Sequence, residues 1–221
     1  MVWLALHRRV FMAGACVLLA ACASQYDTQQ NAAFSTEGMS LDAALSGRRS
    51  VREFTDEPLS EEQLLKLAWA AQGMTHPDGL RTAPSAGALY PLELYVVTAQ
   101  GVWHYEPAGG GLTRHRSGDA RLSLWRNALE QDPVLRAPAV FVIAAVIGRT
   151  AAKYGDRAER YVILETGHAA QNLLLEAVSL NLGAVPIGAF DDGGVTQALS
   201  LPTDHTPFYL IPVGKSKERA D

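Results

Sequence analysis

The chain has few cysteines, few methionines and no excess of positive charge. Its two cysteines, Cys16 and Cys22, both fall in the first 22 of 221 residues. A domain that follows them holds neither thiol nor disulfide, which excludes cysteine-based catalysis and cysteine metal sites there. The formal net charge is −4, and a general nucleic-acid binder would carry a basic domain, so nucleic acid is not an expected partner. Long hydrophobic runs are missing as well. The longest, residues 10–21, is about a dozen residues, whereas a bilayer-spanning helix needs about 20. Internal repeats and low-complexity tracts are absent. What remains is 48% apolar, an ordinary globular composition long enough for one domain with a sizeable core.

The amino terminus reads as an export signal rather than as part of a fold. Arg8 and Arg9 precede the apolar run, and Leu19-Ala20-Ala21-Cys22 resembles a bacterial lipobox in which Cys22 is lipidated. Arg8-Arg9-Val10-Phe11-Met12 also resembles a twin-arginine signal, and a general secretory signal is the open alternative. Residues 1–21 are expected to be the signal peptide, 22–39 a lipidated cysteine and polar tether, 40–217 the folded domain and 218–221 a tail. On this reading the membrane is touched only through the lipid at Cys22, on the periplasmic side. Ala23 follows the cysteine in place of Asp, which points to the outer membrane rather than the inner one.

Ser40 reads as the N-cap of a short helix, LDAALSGRR, and Ser60 with Gln63 forms a capping box for a second, EEQLLKLAWAAQGM. A Gly/Pro-punctuated loop leads into a hairpin of ELYVVTA and VWHYEP. Asp119 is expected to cap a helix through LSLWRNALEQ. The uninterrupted apolar run 139–147 predicts a central strand. Residues 157–182 predict a long helix, apolar nearly all round, suited to the centre of a domain or a dimer interface and ending at Gly183. His168 on this helix is expected to be a satisfied structural histidine. AVPIGAF and PFYLIPVG supply two further strands. The fold class is α+β.

Three segments could carry chemistry. Arg48, Arg49, Ser50 and Arg52 place three guanidinium groups and a hydroxyl in five positions, either as a solvated face or as a cradle for a small anion. Gly214-Lys215-Ser216-Lys217 follows the last strand and could bring cations to the same anion, or be a soluble tail. Pro84-Ser85-Ala86-Gly87, continuing to Pro91, is built of small residues that let a backbone approach a flat ring while a hydroxyl faces it.

These segments, in this order and with Pro186-Ile187-Gly188-Ala189-Phe190 between the second and third, resemble the FMN-dependent nitroreductase family over residues 40–217. The resemblance implies a mixed or antiparallel sheet flanked by helices, a long buried central helix and a homodimer whose subunits share their sites. It implies FMN held at phosphate and ribityl by Arg48, Arg49, Ser50 and Arg52, with Lys215 or Lys217 joining them. Pro84, Ser85, Ala86 and Gly87 would reach the flavin of the other subunit, and Pro186, Gly188 and Ala189 would set backbone N–H groups along the ring edge. Many relatives carry Asn where this chain has Ala88, so one amide contact is missing. The wording PSAGALYPLELYVV, with Lys153-Tyr154 and ETGHAAQN, resembles the SagB/ThcOx-like azoline dehydrogenases, a branch in which a Lys-Tyr pair is linked to catalysis. Lys153 and Tyr154 would then be the proton-handling pair, surface residues opening a helix being the alternative. The expected function is hydride transfer between flavin and a small organic substrate. An NAD(P)H-dependent nitro or quinone reductase, and a non-catalytic flavin-binding lipoprotein that docks a partner, stand as alternatives.

Overall fold

A computed structural model describes residues 38–217. The expected signal peptide, Cys22, most of the tether and the tail lie outside the described residues.

Six strands form one sheet in the order β3-β2-β1-β4-β6-β5, with every strand pair antiparallel. They are β1 (Leu92–Thr98), β2 (Gly101–Glu106), β3 (Gly111–Ser117), β4 (Ala139–Ala145), β5 (Gly183–Ala184) and β6 (Thr206–Gly214). Of the mixed or antiparallel alternatives, the antiparallel one holds; a lone parallel bridge joins Ser50 to Ala184. The helices are α1 (Leu41–Gly47), α2 (Glu61–Gln72), α3 (Arg121–Asn127), α4 (Asp132–Arg136), α5 (Ile147–Tyr154), α6 (Ala158–Ser179) and α7 (Asp192–Leu199).

Both faces of the sheet are covered, which explains why β4 is buried at every position and reads as a continuous apolar run. Leu94, Val96, Phe141 and Ile143 point to one side, against Leu67 and Ala71 of α2 and Val162 and Leu173 of α6. Val97, Val140, Val142 and Leu210 point to the other, against Leu124 of α3, Val134 of α4 and Val195 and Leu199 of α7. The Ser60–Gln63 capping box forms in both directions, at 2.9 and 3.2 Å.

Several sequence expectations shift. Strand β3 has no counterpart among them, since GLTRHRS is polar and sits at the sheet edge. The expected helix over LSLWRNALEQ breaks after Asn127, because Leu129 and Glu130 take left-handed backbone angles. Asp119 is not its N-cap: that position is Ala120, and Asp119 holds Arg121 instead. AVPIGAF contributes only Ala184 of the two-residue β5 and a bridge from Ile187 to Leu210. The long helix stops at Ser179, with Asn181 in the left-handed turn (φ 55°); Gly183 is a strand residue. It is required there for another reason, since a Cβ on it would lie 2.6 Å from Val51 Cβ. Helix α6 is buried along one face only. Ile163 and Leu164 are 52% and 50% exposed, and His168 shares that exposed side, so it is not a buried structural histidine.

Candidate functional site

The arginine segment is locked to the sheet on both sides. Val51 N–H donates to Ala184 O at 3.0 Å, beside β5. Phe54 pairs with Ser216, Thr55 N–H donates to Lys215 O, and Lys217 N–H donates to Glu53 O. The two cationic segments of the sequence are therefore neighbouring strips of backbone. The cause is plain in the local sequence: Phe54 is fully buried among the apolar residues of the α3 side, while the arginines between the anchors stay outside.

Beside this strip lies a cleft of about 380 Å³ lined by Arg52, Gln131, Pro133 and the run Val185 to Ala189. Pro186, Gly188 and Ala189 thus share one concavity with Arg52. Gln131 Nε2 donates to Ala189 O at 2.8 Å and to Ala128 O at 2.9 Å, which pins the strip. The N–H groups of Gly188 and Ala189 meet no protein acceptor among the described residues, and both residues are exposed.

The guanidinium groups of the segment bond nothing but nearby backbone carbonyls among the described residues. Arg49 donates to the carbonyls of Ser46 and Arg48, and Arg52 to that of Ser50. None of Arg48, Arg49 or Arg52 has a carboxylate partner among the described residues. Forked donors without carboxylate partners, Arg52 among them beside exposed backbone N–H groups, match an anion's oxygens, so these residues fit a phosphate-bearing ligand. Lys215 is placed differently from the rest: its Nζ pairs with Glu57 at 3.0 Å. Lys217 is exposed.

The second cluster forms around the loop before β1. A Cβ built on Gly87 (φ 64°) would lie 2.9 Å from both Lys153 Nζ and the Tyr154 hydroxyl, so these two head groups converge on the loop backbone where only glycine leaves room. The pair closes α5 rather than opening a helix. Tyr154 also packs edge-on against Tyr161 of α6, centroids 5.0 Å apart. Pro84 is exposed, and Ser85 and Ala86 are half-buried. The Ser85 hydroxyl accepts from Tyr90 N–H at 2.9 Å, fastening the loop across its base. Ala88 and Tyr90 carry positive φ of 54° and 46°, a conformation that costs a non-glycine residue about 1–2 kcal/mol. Asparagine tolerates that region better than alanine, so Ala88 leaves the loop both without an amide and more strained.

Sequence reasoning missed three residues here. Glu165 is buried at 3% exposure beneath this loop; burial pushes its carboxyl up to about 7, against the Ser85 hydrogen bond and the Arg81 charge. Arg81 donates to Gln72 Oε1 at 2.7 Å and lies over the Tyr90 ring. Gln131 is the third. A Glu on the apolar face of a predicted helix was the available signal for the first. Gln131 follows a break the helix pattern hid.

The arginine strip and the Ser85 loop stand by opposite ends of β4. Ser50 lies by Ala184, which pairs with Val213 and through it with Ala139, the start of β4. The Ser85 loop enters β1 at Leu92, opposite Ala145, the end of β4. Seven residues of strand separate those ends by roughly 20 Å.

Comparison with known proteins agrees with this architecture. The profile of the nitroreductase family matches residues 45–215. A nitroreductase-like protein of Methanocaldococcus jannaschii is 41% identical over 188 residues, covering 82% of this chain and 94% of the relative. A crystal structure of a nitroreductase-like protein from Ralstonia eutropha superimposes with a TM-score of 0.75 at 29% identity, over 84% of this chain and 87% of that one. The NADPH:FMN oxidoreductase of Vibrio harveyi, solved with NAD+, shares the fold, with a TM-score of 0.61 at 22% identity over 80% and 70% of the two chains.

Proposed function

The chain belongs to the nitroreductase family, and on that footing we propose that it is an FMN-dependent oxidoreductase acting on a small organic substrate as a homodimer. The observation that carries the reading is the cleft in which Arg52 faces the unpaired N–H groups of Gly188 and Ala189. Arg48, Arg49, Ser50 and Arg52 would hold the phosphate and ribityl chain, and the strip from Pro186 to Ala189 the ring edge. Lys215 can join only by leaving Glu57. Bound FMN supplies a centre that accepts or donates a hydride. This chain's own share of the reaction is the proton.

For that share the reading follows the azoline-dehydrogenase branch. The Lys153 amino group and Tyr154 hydroxyl meet at Gly87, within the loop assigned to ring contact, where either group in its deprotonated form would take a proton from substrate carbon. The loop and the arginine strip stand by opposite ends of β4, so a second copy bringing its loop to this cleft would complete the site. The half-exposed Ile163 and Leu164 on α6 are the apolar surface such a copy would cover. An NAD(P)H-dependent nitroreductase is the second reading, favoured by the 41% identical relative.

Export as a lipoprotein remains part of the proposal, and its support is the lipobox and paired arginines alone. Loss of palmitate labelling in Cys22→Ser would support it, and retained labelling would refute it. The principal test is flavin content and turnover of the lipid-free protein. Purified protein that takes up no FMN refutes the function. Anaerobic mixing with NADH or NADPH separates the variants: rapid bleaching of the flavin favours the nitroreductase reading, and none favours the dehydrogenase. Under the latter, Lys153→Ala with Tyr154→Phe abolishes turnover while FMN stays bound.

A further inference from the structure

The acid beneath the Ser85 loop has a feature that packing does not explain. Glu165 is almost wholly buried, yet its Oε1 has no hydrogen-bond partner among the described residues. Beside it in sequence, the buried Thr166 hydroxyl is likewise unpartnered. Idle polar atoms in a protein interior cost stability and are uncommon. The groups facing the carboxyl are few. From the loop after α2 comes the Arg81 guanidinium, itself held by Gln72 of α2. From the loop before β1 comes the Ser85 hydroxyl, which holds the carboxyl down against the effect of burial. Beyond Arg81 stand Tyr90, Glu93 and Arg149. Lys153 and Tyr154 of α5 meet the loop at Gly87.

A serine hydroxyl has one proton to give and two acceptor positions. At Ser85 one acceptor position is already taken by Tyr90 N–H. An ionised Glu165 can only accept, so it draws the hydroxyl proton inward, and Ser85 then has nothing to offer outside the loop. A protonated Glu165 can donate to the remaining acceptor position. The Ser85 proton is then released to the outer side.

We infer that Glu165 is a positioning residue that sets the direction of the Ser85 hydroxyl, turning its proton toward the bound flavin when the acid is protonated and withdrawing it when the acid is ionised. The inference rests on the reading of the Ser85 loop as a flavin-contacting segment. Burial holds the carboxyl near 7, so both orientations are populated around neutral pH. The consequence is a flavin site whose grip loosens as pH rises, through a residue that never touches the ligand.

The test is the FMN dissociation constant of wild type and Glu165→Gln, measured by quenching of flavin fluorescence in the full domain from about pH 5.5 to about pH 8.5. FMN's own phosphate ionises near 6, but that contribution is common to both proteins and cancels in the ratio of the two constants. The amide introduced by Glu165→Gln is neutral and can donate to Ser85 at every pH. The ratio of variant to wild-type constant should therefore fall from near one at low pH to roughly a fifth at high pH, the size expected of one hydrogen bond. Ser85→Ala gives a second, opposite reading that does not depend on the core variant folding. Its constant should exceed the wild-type one by about fivefold at low pH and converge on it at high pH. A ratio that stays flat with pH, in either variant, overturns the inference while leaving FMN binding intact. A wild-type protein that binds no FMN at any pH overturns the functional reading and the inference together.

Discussion

Gly183→Ala probes the seat of the arginine strip. The added Cβ would lie 2.6 Å from both Cβ and Cγ1 of Val51, about 1 Å inside ordinary carbon–carbon contact of ~3.5–4.0 Å. Val51 cannot swing aside easily, because a β-branched side chain is stiff at χ1. Nor can it retreat without cost, because its N–H is bonded to Ala184 O at 3.0 Å. The strip must lift from β5. Overpacking of this kind costs about 1–3 kcal/mol, which for a domain of this size lowers Tm by roughly 3–10 °C. Lifting the strip also carries Arg52 away from Gly188 and Ala189, and losing one charge-assisted contact weakens FMN binding by about tenfold or more. Thermal unfolding followed by circular dichroism, with FMN titration at 25 °C, measures both. Gly148→Ala is the matched control, since a Cβ there meets nothing within 4 Å; it should be neutral or slightly stabilising. A Gly183→Ala protein with unchanged Tm and unchanged FMN affinity would refute the idea that β5 seats the phosphate grip.

Arg52→Ala should leave stability within about 0.5 kcal/mol of wild type, as exposed substitutions do, and weaken FMN binding by roughly ten- to hundredfold; unchanged affinity by fluorescence titration returns the arginines to solvent. Ala88→Asn should raise stability by about 1 kcal/mol in a denaturant titration, because Asn better tolerates φ 54°. Leu164→Glu should convert a dimer to a folded monomer in sedimentation equilibrium, and an unaltered dimer would place the interface elsewhere. The Glu165 carboxyl has its folded pKa raised from 4.5 to about 7. Its contribution to stability is therefore complete below 4.5 and is lost as pH rises through 7. Wild type should lose up to about 3 kcal/mol relative to Glu165→Gln between pH 5 and pH 8, measured by urea unfolding.

Segments whose pattern is set by local physics were legible in the sequence. The Ser60–Gln63 capping box forms as its spacing requires, and 139–147 contains the β4 run because burial on both faces leaves no polar position. The boundaries set by tertiary contacts were not. Gly183 looked like a helix terminus, but its lack of a Cβ answers to Val51, some 130 residues earlier in the chain. The helix after Asp119 breaks at Leu129 and Glu130, two residues with no turn chemistry of their own. In the candidate site, charge and small-residue runs pointed to Arg52, Gly188 and the Ser85 loop, whereas Glu165 showed in one dimension only as an acid on the apolar face of a helix. Its meaning comes from the Ser85 hydroxyl near it and from an Oε1 without a partner among the described residues.

Activity should depend on assembly, because the two clusters stand apart. The arginine strip stands on the β5 side of the sheet by the Ala139 end of β4, with its cleft running along β6 to Gly188 beside Tyr209, and the loop with Lys153 and Tyr154 stands on the β1 side near Ala145. If each site takes its anion grip from one copy and its proton-handling loop from the other, monomers should still bind the phosphate end of FMN through Arg48 to Arg52. They should nevertheless lose turnover and the pH dependence that Glu165 imposes through Ser85. Dilution of the wild-type protein below its dimer dissociation constant would then abolish activity before it abolishes flavin binding. A chain that kept full turnover as a monomer would require both clusters to serve one site within a single sheet, across roughly 20 Å of strand.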